Sequence, residues 1–174
     1  MTNWKIDDSH SEIGFKVKHL MITNVSGYFT RFSGSIQTNS DDFHDATIAF
    51  EASTDSINTQ NKQRDEHLMN GDFFDAANFP KINFVSKKVK KITDEQYKLL
   101  GDLTIKGHTH PIELEVTHNG MTIDPYGQEK AGFALKGRLH RTDYGLRWNA
   151  STEAGSIVLS DEVKLNMEIQ LVKS

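Results

Sequence analysis

The stretch Tyr97-Lys98-Leu99-Leu100-Gly101-Asp102-Leu103-Thr104-Ile105 carries two kinds of residue in alternation. Tyr97, Leu99, Gly101, Leu103 and Ile105 fall on one side; Lys98, Asp102 and Thr104 fall on the other. Side chains two apart on an extended chain point to the same face, so this period predicts a β-strand with one apolar face.

The pattern recurs outward in both directions. Ile13, Phe15, Val17 and His19 share a face opposite Gly14, Lys16 and Lys18. Tyr28, Thr30, Phe32, Gly34 and Ile36 repeat it, as do Ala46, Ile48, Phe50 and Ala52. Ile82 and Phe84 open another strand, and Ile112, Leu114 and Val116 a further one. Ala131, Phe133, Leu135, Gly137 and Leu139 form a stripe, and Val163, Leu165, Met167, Ile169 and Leu171 the last. That makes about eight strands by periodicity. Sheets apolar on one side only are antiparallel and must close or stack. Turn signals at Asn119-Gly120, at Asp124 to Gly127 and at Ser160-Asp161-Glu162 separate them, and Gly107 to Pro111 suits a hairpin.

Long strands with short connections predict a mainly β fold, an eight-stranded antiparallel barrel rather than a sandwich. A barrel of about eight strands encloses a lumen that side chains fill or that holds one small ligand. Gly34, Gly101 and Gly137 lie within inward stripes and fit either spare room or sharp strand bending. Residues 61–69, with Lys62, Gln63, Arg64, Glu66 and Leu68 and no β-branched residue, predict a short inserted helix. Phe73, Phe74 and Phe79 follow in a polar connection, either to plug one barrel end or to line a pocket mouth.

The chain has 174 residues, no cysteine, 3 prolines and 12 glycines. It reads as one domain over residues 1–174, with no linker and no low-complexity tract. Without cysteine there is no disulfide, thiolate metal site or thiol nucleophile. A formal charge of −4 argues against nucleic acid as a partner. Apolar runs such as Leu20-Met21-Ile22 are far shorter than the ~20 residues of a membrane-spanning helix, so no transmembrane segment is expected. The opening Met1 to Asp8 has no apolar signal core, which predicts a cytoplasmic protein.

His108-Thr109-His110, with Gly101 before and Glu115 after, half-matches a cupin metal motif. The match fails where a third histidine belongs, since Lys130 stands there. No metal and no cofactor are expected. His19 ends an apolar stripe, as a core histidine or as a donor to a polar headgroup. Arg64 and His67 share a helix face and, with Arg141, would make a cationic rim, or else pair with Asp65, Asp75 and Asp143. There is no nucleophile elbow and no phosphate-cradling glycine loop, so catalytic residues are not assigned.

Read in order, these residues resemble the YceI-like family of lipid-binding proteins. The likeness rests on Trp4-x-Ile6-Asp7-x-x-His10-Ser11-x-Ile13-x-Phe15-x-Val17-x-His19, on Arg64-Asp65-x-His67-Leu68 and on Phe73-Phe74-Asp75 with Phe79-Pro80-x-Ile82-x-Phe84-x-Ser86. Gly101-x-Leu103-Thr104-Ile105-x-Gly107-x-Thr109-x-Pro111 and Arg141-Thr142-Asp143-Tyr144-Gly145-Leu146 extend it over essentially the whole chain. The resemblance implies a lipocalin-like barrel with an inserted helix and a long apolar pocket for polyisoprenoid or fatty-acyl lipids, often in a dimer. Many relatives are periplasmic, whereas this chain shows no signal.

The expected function is to carry or sequester a long-chain amphiphile. Phe15, Val17, Phe32, Phe50, Phe84, Leu103, Leu114, Phe133 and Leu135 are the tail-lining candidates. His19, Arg64, His67 and Arg141 are the headgroup candidates, with Phe73, Phe74 and Phe79 as a lid. Two alternatives stand beside it: an enzyme acting on a lipid headgroup through His19 or His67, and an interaction module with a filled barrel. A surplus of apolar residues around Leu20, Met21, Ile22, Tyr28 and Phe29 leaves a homodimer open.

Overall fold

The computed structural model describes residues 1–40, 42–149 and 159–174. Its strands in chain order are β1 (Thr2–Ile6), β2 (Glu12–His19), β3 (Thr23–Phe29), β4 (Phe32–Thr38), β5 (Thr47–Ser53), β6 (Ile57–Asn58), β7 (Lys81–Lys91), β8 (Gln96–Ile105), β9 (His108–Ile123), β10 (Glu129–His140) and β11 (Leu159–Lys173). One helix, α1 (Lys62–Met69), lies between β6 and β7.

Neighbouring strands run in the order β1-β4-β5-β7-β8-β9-β10-β11, and β11 pairs back onto β1. These eight strands close an antiparallel barrel. The remaining three continue barrel strands past short interruptions. A 3-10 turn at Asp8–His10 separates β1 from β2, residues 30–31 separate β3 from β4, and a 3-10 turn at Thr54–Ser56 separates β5 from β6. β11 is long enough to serve both halves: Leu171 to Lys173 lie against β1, and Leu159 to Glu168 against β2. Closure leaves the eight strands without a free edge.

Alternation places the greasy sides inward. Trp4, Ile13, Ile36, Phe84, Leu99, Leu103, Leu114, Phe133 and Leu171 are buried, while Lys16, Lys18, Lys98, Glu113 and Lys164 are exposed. The helix forms where expected. Asn61 caps it by accepting from the Arg64 amide at 3.0 Å, and the Asn70 amide bonds the His67 carbonyl at its end.

The strand expected through Tyr28 and Ile36 is broken at residues 30–31. Asn119-Gly120 is not a turn: β9 runs on to Ile123, and the reversal falls at Asp124 to Gly127, where the Gly127 amide bonds the Asp124 carbonyl at 3.0 Å. Ser160-Asp161-Glu162 is not a turn either. It lies within β11 as an irregularity opposite β2, a bulge that bends the strand. The hairpin after β8 is tight, with Lys106 and Gly107 both at positive φ, the geometry that two-residue hairpins favour.

The inward glycines do not themselves open space. A Cβ on Gly34 would lie 2.5 Å from Ile6 Cδ1, one on Gly101 2.5 Å from Phe84 Cζ, and one on Gly137 2.4 Å from Leu114 Cδ2. Each gap is already taken by a neighbouring side chain lying flat across the strand.

Candidate functional site

A cavity of about 270 Å³ occupies the barrel interior. Phe15, Val17, Phe50, Phe84, Leu103 and Leu135 line it, with Leu165, Met167 and Ile169 of β11. It follows the barrel from Tyr97 to Ile105 along β8 and from Phe133 to Leu139 along β10. At ~3.4 Å per residue and ~40° tilt, that span is roughly 20 Å along the axis, so the space is a narrow tunnel. Phe15, Leu135, Leu165, Met167 and Ile169 are only partly buried although they point inward, because they face this hollow. The interior is therefore not packed solid.

The far end, opposite α1, is closed by the loop after β4. Phe43 sits there at a φ of 65° and is buried against Trp4 at 5.3 Å and edge-on to Phe133 at 5.0 Å. His118 stacks on Phe133 at 4.7 Å and 15°, and its Nε2 is buried without a partner among the described residues. Burial holds this imidazole below the usual histidine range, against a hydrogen bond with the Gly120 backbone. The Tyr97 hydroxyl donates to the Asp42 carbonyl and ties the loop to β8.

At the other end, Leu68 of α1 joins Phe73 and Phe74 in the cavity wall. Phe74 meets Phe29 edge-on at 5.8 Å, and its amide bonds the Leu68 carbonyl at 3.0 Å. Phe73 is buried against His67 and Trp148, with centroids at 5.1 and 5.4 Å. Among the described residues Arg141 is the one charged residue in the lining, and only 5% of it is exposed. Its Nε donates to the Ser160 carbonyl at 2.9 Å and its Nη1 to those of Leu146 at 2.7 Å and Trp148 at 2.8 Å. Nη2 reaches the Leu159 carbonyl at 3.4 Å. All these acceptors are main-chain carbonyls rather than carboxylates. Burial pulls the guanidinium below its ordinary value, and nearby Asp161 opposes that.

Of the tail-lining candidates, Phe15, Val17, Phe50, Phe84, Leu103, Leu114, Phe133 and Leu135 stand in the cavity wall. Phe32 does not: it packs against Phe50 at 6.3 Å, outside the lining. Phe73, Phe74 and Arg141 line the cavity, whereas Phe79 covers Gly107. His19, Arg64 and His67 are also outside the lining. His19 ends β2 opposite Leu159. Arg64 binds Thr59, through its hydroxyl and its carbonyl, both at 2.7 Å. His67 Nε2 lies 2.9 Å from Asp72. The structure thus gathers no cationic rim, and Arg64, His67 and Arg141 find partners other than Asp65, Asp75 and Asp143. His110 is taken by the Asp143 carbonyl at 2.8 Å, and among the described residues no cluster of three His, Asp or Glu side chains has metal-binding geometry.

Sequence reasoning missed Phe43, Leu68 and Trp148. His118 continues the stripe Ile112, Leu114, Val116 and was recoverable from the period of two. Phe43, inside the polar run Ser40 to Asp45, carries no such signal.

The described residues thus form a closed antiparallel β-barrel around an apolar tunnel, with Arg141 as the charged group in its wall. Residues 4–171 match the family model of the YceI-like domain, and the chain belongs to that family. A UPF0312 protein from Staphylococcus aureus is 38% identical over 165 residues, covering 94% of each chain. The crystal structure of a YceI protein from Campylobacter jejuni is 36% identical, with a TM-score of 0.78, covering 97% of this chain and 96% of that one. BcnA of Burkholderia cenocepacia shares the fold at 20% identity with a TM-score of 0.80, covering 95% and 98%. A polyisoprenoid binding domain from Saccharophagus degradans shares it at 14% identity with a TM-score of 0.73, covering 98% of each.

Proposed function

We propose that this protein binds a long-chain amphiphile, a polyisoprenoid or fatty-acyl lipid, and carries or sequesters it. The observation that supports this best is the tunnel of about 270 Å³, with apolar walls and, among the described residues, a single charged group, Arg141, at the α1 end. Apolar surface gains roughly 25 cal/mol per Å² on leaving water, so a tail is drawn into such a space, against the cost of ordering a flexible chain. The fold shared with the Saccharophagus polyisoprenoid binding domain agrees with this reading.

The head of the ligand belongs at the α1 end. There, among the described residues, the second N–H of Arg141 Nη2 has no partner and no carboxylate is bonded to the guanidinium. A phosphate, carboxylate or amide oxygen fits that position. Phe73 and Phe74 then act as the lid, and Leu68 moves with them. We read the protein as a carrier rather than an enzyme: among the described residues the tunnel wall carries no carboxylate and no histidine, and His19 and His67, the two catalytic candidates, lie outside it.

Native mass spectrometry of the purified protein tests the reading. Bound lipid released on activation is the expected result. Delipidated protein should then melt at higher temperature when farnesol, a longer polyprenol or oleic acid is added. A protein that releases no lipid and responds to none of these probes overturns it.

A further inference from the structure

The outer face of the barrel near the α1 end carries a feature that lipid burial does not use. Arg138 of β10, Lys164 of β11 and Lys16 of β2 stand directly opposite one another across three paired strands. Like charges in such register destabilise a sheet. Arg138 is relieved by Glu162 at 3.8 Å, but Lys16, Lys18 and Lys164 form no ion pair among the described residues. On a chain of net charge −4 this is a local basic stripe. Further along the same strand pair the sign reverses, where Glu168 faces Glu12.

The stripe leads to the β2–β3 turn. There Leu20, Met21 and Ile22 are 37%, 57% and 80% exposed. Leu20 and Met21 both adopt the left-handed conformation, at φ 53° and 60°, and the Ile22 amide bonds the His19 carbonyl at 3.2 Å. Asn-Gly is the favoured pair for this turn. Bulky apolar residues here are costly in backbone strain and in exposed surface at once. The tip is also tied to the tunnel end: His19 pairs with Leu159, and the Lys18 amide bonds the Ser160 hydroxyl at 3.3 Å. Leu159 and Ser160 are the residues whose carbonyls hold Arg141.

We infer that the Leu20-Met21-Ile22 tip and the Lys16, Lys18, Lys164 and Arg138 stripe form a docking surface for an anionic lipid bilayer. The apolar tip enters the headgroup–acyl boundary while the stripe lies against anionic headgroups. Docking in this pose brings the α1 end of the barrel to the membrane, where a hydrophobic cargo can leave or enter without crossing water. This rests on the carrier reading for its purpose, but vesicle binding and lipid loading are measured separately.

The test is co-sedimentation with phosphatidylcholine vesicles with or without phosphatidylglycerol, at low and high salt. Binding should require phosphatidylglycerol and weaken with salt. K16Q/K164Q should lower the partition coefficient about fivefold per lysine. L20N/M21G should melt at higher temperature than the parent, because it installs the favoured turn, yet lose vesicle binding. Lipid content by native mass spectrometry should be unchanged in both variants. Binding that ignores phosphatidylglycerol, or survives both double substitutions, overturns the docking surface while leaving the carrier reading intact. So does a dimer that L20N/M21G converts to a monomer with vesicle binding unaltered, since the tip then meets a second copy of the chain.

Discussion

The ring of Phe84 lies in the space a side chain on Gly101 would fill, with Cζ 2.5 Å from the position of a Cβ there. The Val85 carbonyl is equally close, at 2.5 Å, and being main chain it cannot swing away. Gly101 thus lets β7 and β8 approach while Phe84 lies flat along the tunnel wall. Gly101→Ala forces either the ring into the tunnel or the strands apart. We expect a loss of about 1–3 kcal/mol, typical of overpacking. Thermal unfolding should show it as a drop of roughly 2–4 °C per kcal/mol for a domain of this size. An unchanged melting temperature would mean that the strands give way freely.

Arg141 fastens the β10 end to two other segments at once, through the carbonyls of Leu146 and Trp148 on one side and Ser160 and Leu159 on the other. A lysine keeps the charge but not the planar fork that reaches several acceptors together. Arg141→Lys should therefore destabilise the fold, since each buried carbonyl left without a donor costs about 1–3 kcal/mol. Denaturant unfolding measures this. A lysine variant as stable as the parent would reduce Arg141 to a point charge facing the ligand.

Leu165 faces the tunnel and is only partly buried. Leu165→Trp fills space rather than crowding a packed core, so the lipid-free protein should melt no lower than the parent. The same variant should bind added polyprenol at least tenfold more weakly, in a thermal-shift or fluorescence titration. Undiminished affinity in a folded Leu165→Trp protein would place the lipid elsewhere.

The barrel was legible because its alternation is regular: the stripe through Tyr97, Leu99, Leu103 and Ile105 can face only one way, one apolar side demands closure or stacking, and long strands with short connections favour closure. Most of the tunnel wall came with it, since Phe15, Phe84 and Leu135 are inward positions of such stripes. Phe32 shows the limit. It has the right parity but lies beside a strand break, where the inward direction no longer leads to the tunnel. Arg64 and His67 show another, because a helix face says where two side chains start and not which acceptor they reach. Thr59 and Asp72 claimed them. Phe43 was illegible for a third reason: its inward turn depends on a left-handed backbone in a loop, which no periodicity reports.

His118 offers a pH readout of the far end. Its ring is stacked on Phe133, its Nε2 is buried with no partner among the described residues, and burial depresses its pKa in the folded state. The unfolded chain then binds a proton more readily than the folded one as the pH falls below about 6.5, the ordinary histidine value. Stability contributed by neutral His118 is full above that value and declines as the pH drops toward the depressed one. His44 works in the opposite sense, because its bond to Asp42 raises its pKa; what it contributes is present at low pH and lost as the pH rises through that raised value. His118→Phe keeps the stacking surface on Phe133 and removes the titration and the orphaned nitrogen. The variant should match the parent at pH 8 within a few degrees and exceed it at pH 5, so that the acid-side slope of melting temperature against pH flattens. Parallel curves for the two proteins would show that the far-end plug takes no part in acid unfolding.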